Sequence, residues 1–245
     1  MSGLSNLWRP RNAPAVVVRP VGPGEIAVAL SLLLGNVEQL AAPGHVADFE
    51  EIARLRGIDL TAIRLATLDG RLAAAALPVA SPGKTVLLLL SPAGRSATAA
   101  ELVARCATAV VDAMPKDDGS LIQILLDPSE TTAAKALQSA KFAPLATLIY
   151  LNRRLAKGKF AEPDFADVRL LNYSPGTHAR FARAILASYE ESLDCPPMRG
   201  LRDIEDVIAG HRGRAILSPT TGSASSTPPV RNSACCCWRP SPPSR

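Results

Sequence analysis

The sequence is short of aromatic residues and contains no long apolar run. Aromatic side chains make up 4% of its residues, and none is interleaved with a basic stripe, which argues against a nucleic-acid groove. No apolar run approaches the roughly 20 residues that a membrane span requires. Trp8 is followed at once by Arg9 and Pro10, so a secretory apolar region is missing. We therefore expect a soluble, cytoplasmic protein that binds neither membrane nor nucleic acid.

Cysteines are few and follow no recognisable framework. Cys106 falls on the apolar face of a predicted helix, where a core position is expected. Cys195 stands alone before two prolines, and Cys235–Cys237 are adjacent in sequence. These spacings resemble neither a disulfide framework nor the C-x₂-C arrangement of a zinc site. We expect reduced cysteines and no metal.

Apolar residues and positive charge are what the sequence does contain. The 245 residues are 47% hydrophobic, enough for one large or two modest cores. The net charge of +5 comes largely from arginines in the last third of the chain. Because no recognition motif accompanies this charge, a basic nucleic-acid binder is the weakest interpretation.

The stretch from Thr85 to Met114 combines a buried strand, a turn of small residues and an amphipathic helix. Thr85–Leu90 lacks alternation, which is typical of a strand buried on both faces. A helix that follows such a turn offers free N–H groups and a positive dipole end to an anion. The candidate phosphate-binding residues are Leu90, Gly94, Arg95, Ser96, Ala97 and Thr98. Ordinary βα connections favour the same residues, so both interpretations stay open.

The remaining periodicity places this stretch inside a mixed sheet flanked by helices. The predicted strands are Ala15–Val21, Ala62–Leu68, Arg71–Val79, Thr85–Leu90, Leu121–Leu126 and Ala146–Leu151. Predicted helices fall at about 26–34 and 44–56, before Met114, and after Asp127–Glu130. The order is β-α-α-β-β-β-α-β-α-β, an α/β (α+β) arrangement.

This order, with a small-residue loop between the fourth strand and the third helix, resembles the GNAT acetyltransferase superfamily over residues 15–153. In that family the loop reads Q/R-x-x-G-x-G/A, and its amides bind the pyrophosphate of acetyl-CoA. Gly94 matches the central glycine, whereas Ser91 and Ser96 replace the first and last positions. Lys141-Phe142 imperfectly matches the G-F that ends the last helix. The resemblance implies a GNAT-like, mostly antiparallel sheet and an acyl-CoA-dependent N-acyltransferase with an amine-bearing acceptor.

The catalytic residues of that family are not evident. Acetylation of an amine needs a base for the amine proton and an acid for the leaving thiolate. The position of the usual Tyr acid holds Leu137, and the central strands offer Gln123 in place of a Glu. Tyr150 is a candidate substitute, but a Tyr in a final strand is more often a packing residue. We assign no catalytic residue, and the alternative is a non-catalytic GNAT-like module that binds acyl-CoA or serves a structural role.

A second β-α-α pattern begins at Asp167 and is spaced like the first, as in a tandem GNAT protein with a truncated second domain. Helices are predicted at Pro175–Ser192 and Met198–Arg212. Without a sheet of their own, they should pack on the first domain, self-associate or stay poorly ordered. Tyr189, Glu190 and Glu191 would line an acceptor pocket or form a solvated helix end. The predicted divisions are an arm at 1–14, a GNAT-like domain at 15–155, a linker at 156–166, a partial unit at 167–213 and a disordered tail at 214–245.

The tail changes character after Arg214. Its Ser-, Thr- and Pro-rich run cannot bury a core. Cys235–Cys237 and Trp238 follow. If the reading frame is shifted one base earlier, these four codons contain three leucine codons. Such a leucine-rich stretch would supply the apolar strand that the partial unit lacks. The hypothesis is therefore an out-of-frame translation, which would make the chain a frameshifted fragment, and the alternative is a genuine low-complexity tail.

Overall fold

The computed structural model describes residues 14–115, 120–149, 171–190, 192–193, 195–216 and 233–238. Five sequence predictions fall wholly or mainly elsewhere. The linker at 156–166, Tyr150 and Glu191 lie outside the described residues, and so do residues 1–13 of the arm and most of the tail. These predictions stay untested.

Six helices and seven strands form in the described residues. The strands are β1 Val16–Pro20, β2 Arg64–Leu68, β3 Arg71–Ser81, β4 Thr85–Leu90, β5 Leu121–Leu126, β6 Phe142–Leu148 and β7 Ser233–Trp238. The helices are α1 Ile26–Leu33, α2 Pro43–Arg56, α3 Ala97–Ala113, α4 Thr131–Ser139, α5 His178–Glu190 and α6 Ile204–Ile216. Through β6 the elements follow the order β-α-α-β-β-β-α-β-α-β, so the GNAT-like fold class is confirmed.

The sheet has the strand order β1-β2-β3-β4-β5-β7-β6. Antiparallel pairing joins β1 to β2, β2 to β3, β5 to β7 and β7 to β6. The β4–β5 pairing is parallel and covers three residues of each strand, Thr85–Leu87 with Leu121–Gln123. A mostly antiparallel, mixed sheet was expected, and the pairings confirm it.

The chain divides into two compact units, each assembled from three stretches of sequence. Unit 1 comprises the described residues of Met1–Val79, Leu88–Pro115 and Glu130–Ala140. Unit 2 comprises those of Ala80–Leu87, Lys116–Ser129 and Lys141–Arg245. The break runs through β3 and β4, because β5 and β6 pair with β7 near the end of the chain. The residues expected to form a separate partial domain therefore group with strands of the predicted first domain.

Unit 1 buries α1 and α2 against β2 and β3. Leu30, Ile63, Leu65 and Leu77 are fully inaccessible in this core. α3 packs on β1, β2 and α4, with the predicted apolar face inward. Cys106 is fully buried on that face, as expected, and burial raises the pKa of its thiol to about 12.

Unit 2 holds the last helices through contacts at the β3–β4 turn and at β5. Leu121 packs with Leu145 and Met198. The Nη2 of Arg202 donates to the carbonyl oxygens of Gly83, at 2.8 Å, and Asp206, at 2.9 Å. A Cβ at Gly83 would collide with the backbone oxygen of Asp206, so this close approach requires glycine. Among the three outcomes expected for these helices, the structure has them packed.

The structure moves several predicted boundaries. β6 begins at Phe142 rather than Ala146, because Lys141 adopts a φ of 70° and turns the chain directly from α4 into the strand. α6 begins at Ile204 rather than Met198, because Pro196–Met198 forms a 3₁₀ turn. Of the strand predicted at 167–172, the described Leu171 and Asn172 are not in a strand.

β7 lies in the stretch that was expected to be disordered. Its backbone pairs with β5 on one side, from Ile122↔Trp238 to Leu126↔Ala234. On the other side it pairs with β6, from Phe142↔Trp238 to Leu148↔Ser233. The composition of this stretch predicted no regular structure. The open edges of β5 and β6 supply hydrogen-bond partners for the β7 backbone, and such distant partners leave no local sequence pattern.

No helix in the described part of the chain is both long and apolar enough to cross a membrane.

Candidate functional site: the loop between β4 and α3

The β4–α3 loop, residues 91–96, is anchored to β3 by Ser91. The Ser91 N–H donates to the Ala75 oxygen at 3.0 Å, and the Ser91 Oγ accepts from the Ala75 N–H at 3.0 Å. Ser91 is 3% exposed. Its side chain therefore fixes the loop on the sheet, which gives a structural reason for serine where the family pattern has Gln or Arg.

Gly94 is required by the packing of the loop. Its φ is 57°, in the left-handed region that favours glycine. A Cβ built there would lie 2.6 Å from Cγ1 of Val37, in the connection between α1 and α2. The absence of a side chain thus permits close approach of Val37. The pyrophosphate role that the sequence analysis gave to Gly94 concerns its backbone and stays a prediction.

The N-terminus of α3 is capped by a side chain and exposed to solvent. Ser96 is the N-cap residue, and its Oγ accepts from the Ala99 N–H at 3.1 Å. The N–H groups of Ala97 and Thr98 have no intrahelical acceptor, because they belong to the first turn. Arg95, Ser96, Ala97 and Thr98 are all exposed. The positive end of a 17-residue helix is therefore open beside a guanidinium.

The predicted site residues do not all play the same part. Gly94, Arg95, Ser96, Ala97 and Thr98 are brought together by the turn into α3. Leu90 is the last residue of β4, half-buried and separated from them by Ser91–Ala93. Arg95–Thr98 are the exposed members of the predicted set.

Two of the positions considered for the catalytic acid and base, Leu137 and Gln123, lie in the described part of the chain, and neither side chain is an acid or a base. Leu137 is fully inaccessible in α4. Gln123 lies in β5, at the register positions opposite Leu87 and Cys237. In the described residues no group of three or more His, Cys, Asp or Glu side chains is arranged to hold a metal ion.

A polar chain in unit 2 was missed by sequence reasoning. The Tyr173 hydroxyl lies 2.9 Å from Nδ1 of His178, and His178 Nε2 lies 2.8 Å from the Glu205 carboxylate. Arg212 sits over the Tyr173 ring, 5.3 Å from its centroid. A phenol, an imidazole and a carboxylate in series can pass a proton. No local sequence motif predicts this series of three polar side chains, because Glu205 is remote from Tyr173 and His178 in sequence.

Comparison with known proteins returns solved acetyltransferases of low similarity. No protein-family model and no curated protein matches the chain. A Salmonella typhimurium structure assigned as an acetyltransferase, with its cofactor acetyl-CoA, aligns over 61% of this chain and 98% of its own, at 14% identity and a TM-score of 0.38. Ribosomal-protein-alanine N-acetyltransferase from Brucella melitensis aligns over 54% and 87%, at 11% identity and a TM-score of 0.40.

A third solved structure is a chimera of the spermidine N-acetyltransferase SpeG from Vibrio cholerae. It aligns over 56% of this chain and 87% of its own, at 13% identity and a TM-score of 0.39. All three similarities are too distant to carry function across. The GNAT-like class of the fold rests on the element order and strand pairing of the chain itself.

Proposed function

We propose that this chain is an acyl-CoA-dependent N-acyltransferase that transfers an acetyl group to the amine of a small or peptidic acceptor. One observation carries the proposal. Strand β4 is followed by a turn of small residues that Ser91 anchors to the sheet, and this turn leads into the exposed N-terminus of the long helix α3. This is the position at which the GNAT resemblance expects the pyrophosphate.

The donor set at this turn suits a phosphate anion. The Ala97 and Thr98 N–H groups and the dipole of α3 favour negative charge. The exposed Arg95 adds a guanidinium with further donors. A side chain at Gly94 would meet Val37, but the backbone of Gly94 belongs to the same turn, so Gly94–Thr98 together would hold acyl-CoA. When bound, that cofactor supplies an activated acyl group.

A second candidate is a non-catalytic module that binds acyl-CoA. The buried Leu137 favours it, because this side chain replaces the expected acid and cannot donate a proton. The two candidates share the cofactor and differ in turnover. Release of CoA thiol in the presence of a panel of amines, including polyamines and peptide N-termini, separates them.

Acetyl-CoA binding by calorimetry tests the shared step, using Thr98→Asp as the disrupting variant. A carboxylate in the first turn stabilises a helix but repels a phosphate there, so binding should weaken without loss of folding. Thr131→Asp is the matched control, since Thr131 is an exposed first-turn residue of α4. We expect about a tenfold or greater rise in Kd for Thr98→Asp and no change for Thr131→Asp.

Two results would contradict this proposal. One is the absence of acetyl-CoA binding by the unmodified chain. The other is equal binding by Thr98→Asp and the unmodified chain, which would move any cofactor away from α3. Gly94→Asp is a poor probe, because a side chain there collides with Val37 whether or not an anion binds.

A further inference from the structure

A cavity of about 490 Å³ lies in unit 2, among α5, the 3₁₀ turn Pro196–Met198 and the start of α6. Its size falls within the range of small-molecule sites, which are commonly about 300–1,000 Å³. The described residues that line it fall between Leu186 and Val207. These residues all belong to unit 2.

One part of the cavity wall is apolar and partly open to solvent. Leu186 and Tyr189 line it and remain 49% and 42% exposed. Met198, Ile204 and Val207 continue this surface. Large apolar side chains that stay exposed along a concave surface favour an apolar ligand, because its burial would remove them from water.

The other part of the wall carries two guanidinium groups without a counter-ion. Arg202 donates through Nη2 to the oxygens of Gly83 and Asp206, and its Nε is buried with no partner. Arg199 donates to the Ser192 oxygen at 2.8 Å. Within the described ranges neither arginine forms an ion pair with a carboxylate. The Nε of Arg202 is shielded by protein atoms, so what the cavity wall offers a ligand is the positive charge of the two guanidinium groups, which an anion in the cavity would balance.

We propose that this cavity binds an organic carboxylate with an apolar body. The carboxylate accepts from Arg202 and Arg199, and the apolar body lies against Leu186, Tyr189 and Val207. Glu190 also lines the cavity, but it is a single exposed carboxylate against two guanidinium groups, so the local charge favours an anion. The proposal goes beyond acetyl transfer and does not depend on it, since the site needs no acyl-CoA.

The test measures binding of octanoate and 3-phenylpropionate to the full chain by calorimetry and ligand-observed NMR. Octylamine and octanol carry the same alkyl body with a different head group. Leu186→Glu places a carboxylate on the apolar wall, and Arg202→Gln removes the buried cation while keeping an amide donor. Leu193→Glu is the matched control, because Leu193 is 91% exposed and does not line the cavity.

We expect both carboxylates to bind, with about a tenfold or greater loss of affinity in Leu186→Glu and none in Leu193→Glu. Arg202→Gln should weaken the carboxylates and spare octanol. Arg202 also contacts Gly83, so Arg202→Gln could fail to fold. In that case the comparison of Leu186→Glu with Leu193→Glu still tests the proposal. The proposal is overturned if neither carboxylate binds, if octylamine or octanol binds as tightly, or if Leu186→Glu binds like the unmodified chain.

Discussion

Gly94 shows how one residue serves two physical requirements at once. Its left-handed backbone disfavours any side chain, at a cost of roughly 1–2 kcal/mol, and Val37 occupies the space that a Cβ would need. Gly57 meets only the first requirement, since its φ is 64° and nothing lies within 4 Å of a Cβ there. Comparing the two positions separates backbone strain from the steric conflict.

We predict that Gly94→Ala lowers the free energy of unfolding by more than Gly57→Ala does. The difference is the steric conflict with Val37, and it should add about 1–3 kcal/mol, the usual cost of overpacking. Denaturant unfolding measures both variants. In the background of Val37→Ala the two glycine substitutions should cost the same. An equal cost in the unmodified background would mean that Val37 moves aside freely.

Glu25 carries the clearest pH-dependent interaction at this scale. Arg19 Nη1 donates to the carboxylate at 2.6 Å and Nη2 at 2.7 Å, and the Gly22 N–H donates at 2.7 Å. The Arg19 hydrogen bonds first, and then that of Gly22, lower the pKa of Glu25 from 4.5 to about 2. A group whose pKa falls on folding stabilises the protein above its unfolded pKa and loses that contribution as the pH drops through the folded pKa.

Glu25→Gln should therefore have a lower free energy of unfolding than the unmodified chain at neutral pH. This gap between the two free energies should close as the pH falls from about 4.5 to about 2. Added salt should narrow the gap, because the pair is partly exposed. Unfolding curves over this pH range check the prediction, with the exposed Glu38→Gln as control. A gap that stays constant with pH would show that Glu25 acts through packing alone.

At the scale of elements, β7 is the least local feature of the sheet. From β1 to β5 each strand lies beside the next strand in sequence, whereas β7 is inserted between β5 and β6. Its central residue Cys236 pairs with Ile124 and Pro144. Since Pro144 contributes no N–H, the bonds between β6 and β7 at this point depend on the other strand.

We predict that Cys236→Pro disrupts β7 and exposes the backbone of β6. Proline removes an N–H from a strand that is paired on both sides, which sheets tolerate poorly. Amide hydrogen exchange should become faster at Ala146–Leu148 than in the unmodified chain. Exchange in β2 and β3 of unit 1 should stay as slow as before. Cys236→Ala, which keeps the backbone donor, is the control. Unchanged exchange in β6 would contradict the pairing that we describe.

The same elements explain what the sequence could predict. β4 and α3 follow from their apolar patterns, because a buried strand and an amphipathic helix have local signatures. The contact of Arg202 with Gly83 has none, since the two residues are far apart in the chain. The β4–α3 loop was found from its small residues, but the role of Val37 beside Gly94 depends on tertiary packing. Tyr173, His178 and Glu205 were missed for the same reason.

For the whole molecule, the two compact units are not consecutive stretches of sequence. β3 and β4 contribute residues to both, and unit 2 combines β5 and β6 with the last helices and β7. The predicted boundary near residue 155 would thus separate β6 from its partner β7. Composition and spacing locate stretches of sequence, whereas strand pairing decides which stretches belong together.

The position of β7 also determines when the sheet can be completed during synthesis of the chain. β6 reaches the sheet only through β7, yet Ser233 follows Leu148 by about 85 residues. At roughly 5–20 residues per second, the ribosome needs about 4–17 s to supply them. During that interval β5 has an open edge, and β6 has no strand to join. A nascent chain at this stage is a target for chaperones and for pairing with other chains, so its yield in the cell should depend on how quickly its last residues are made.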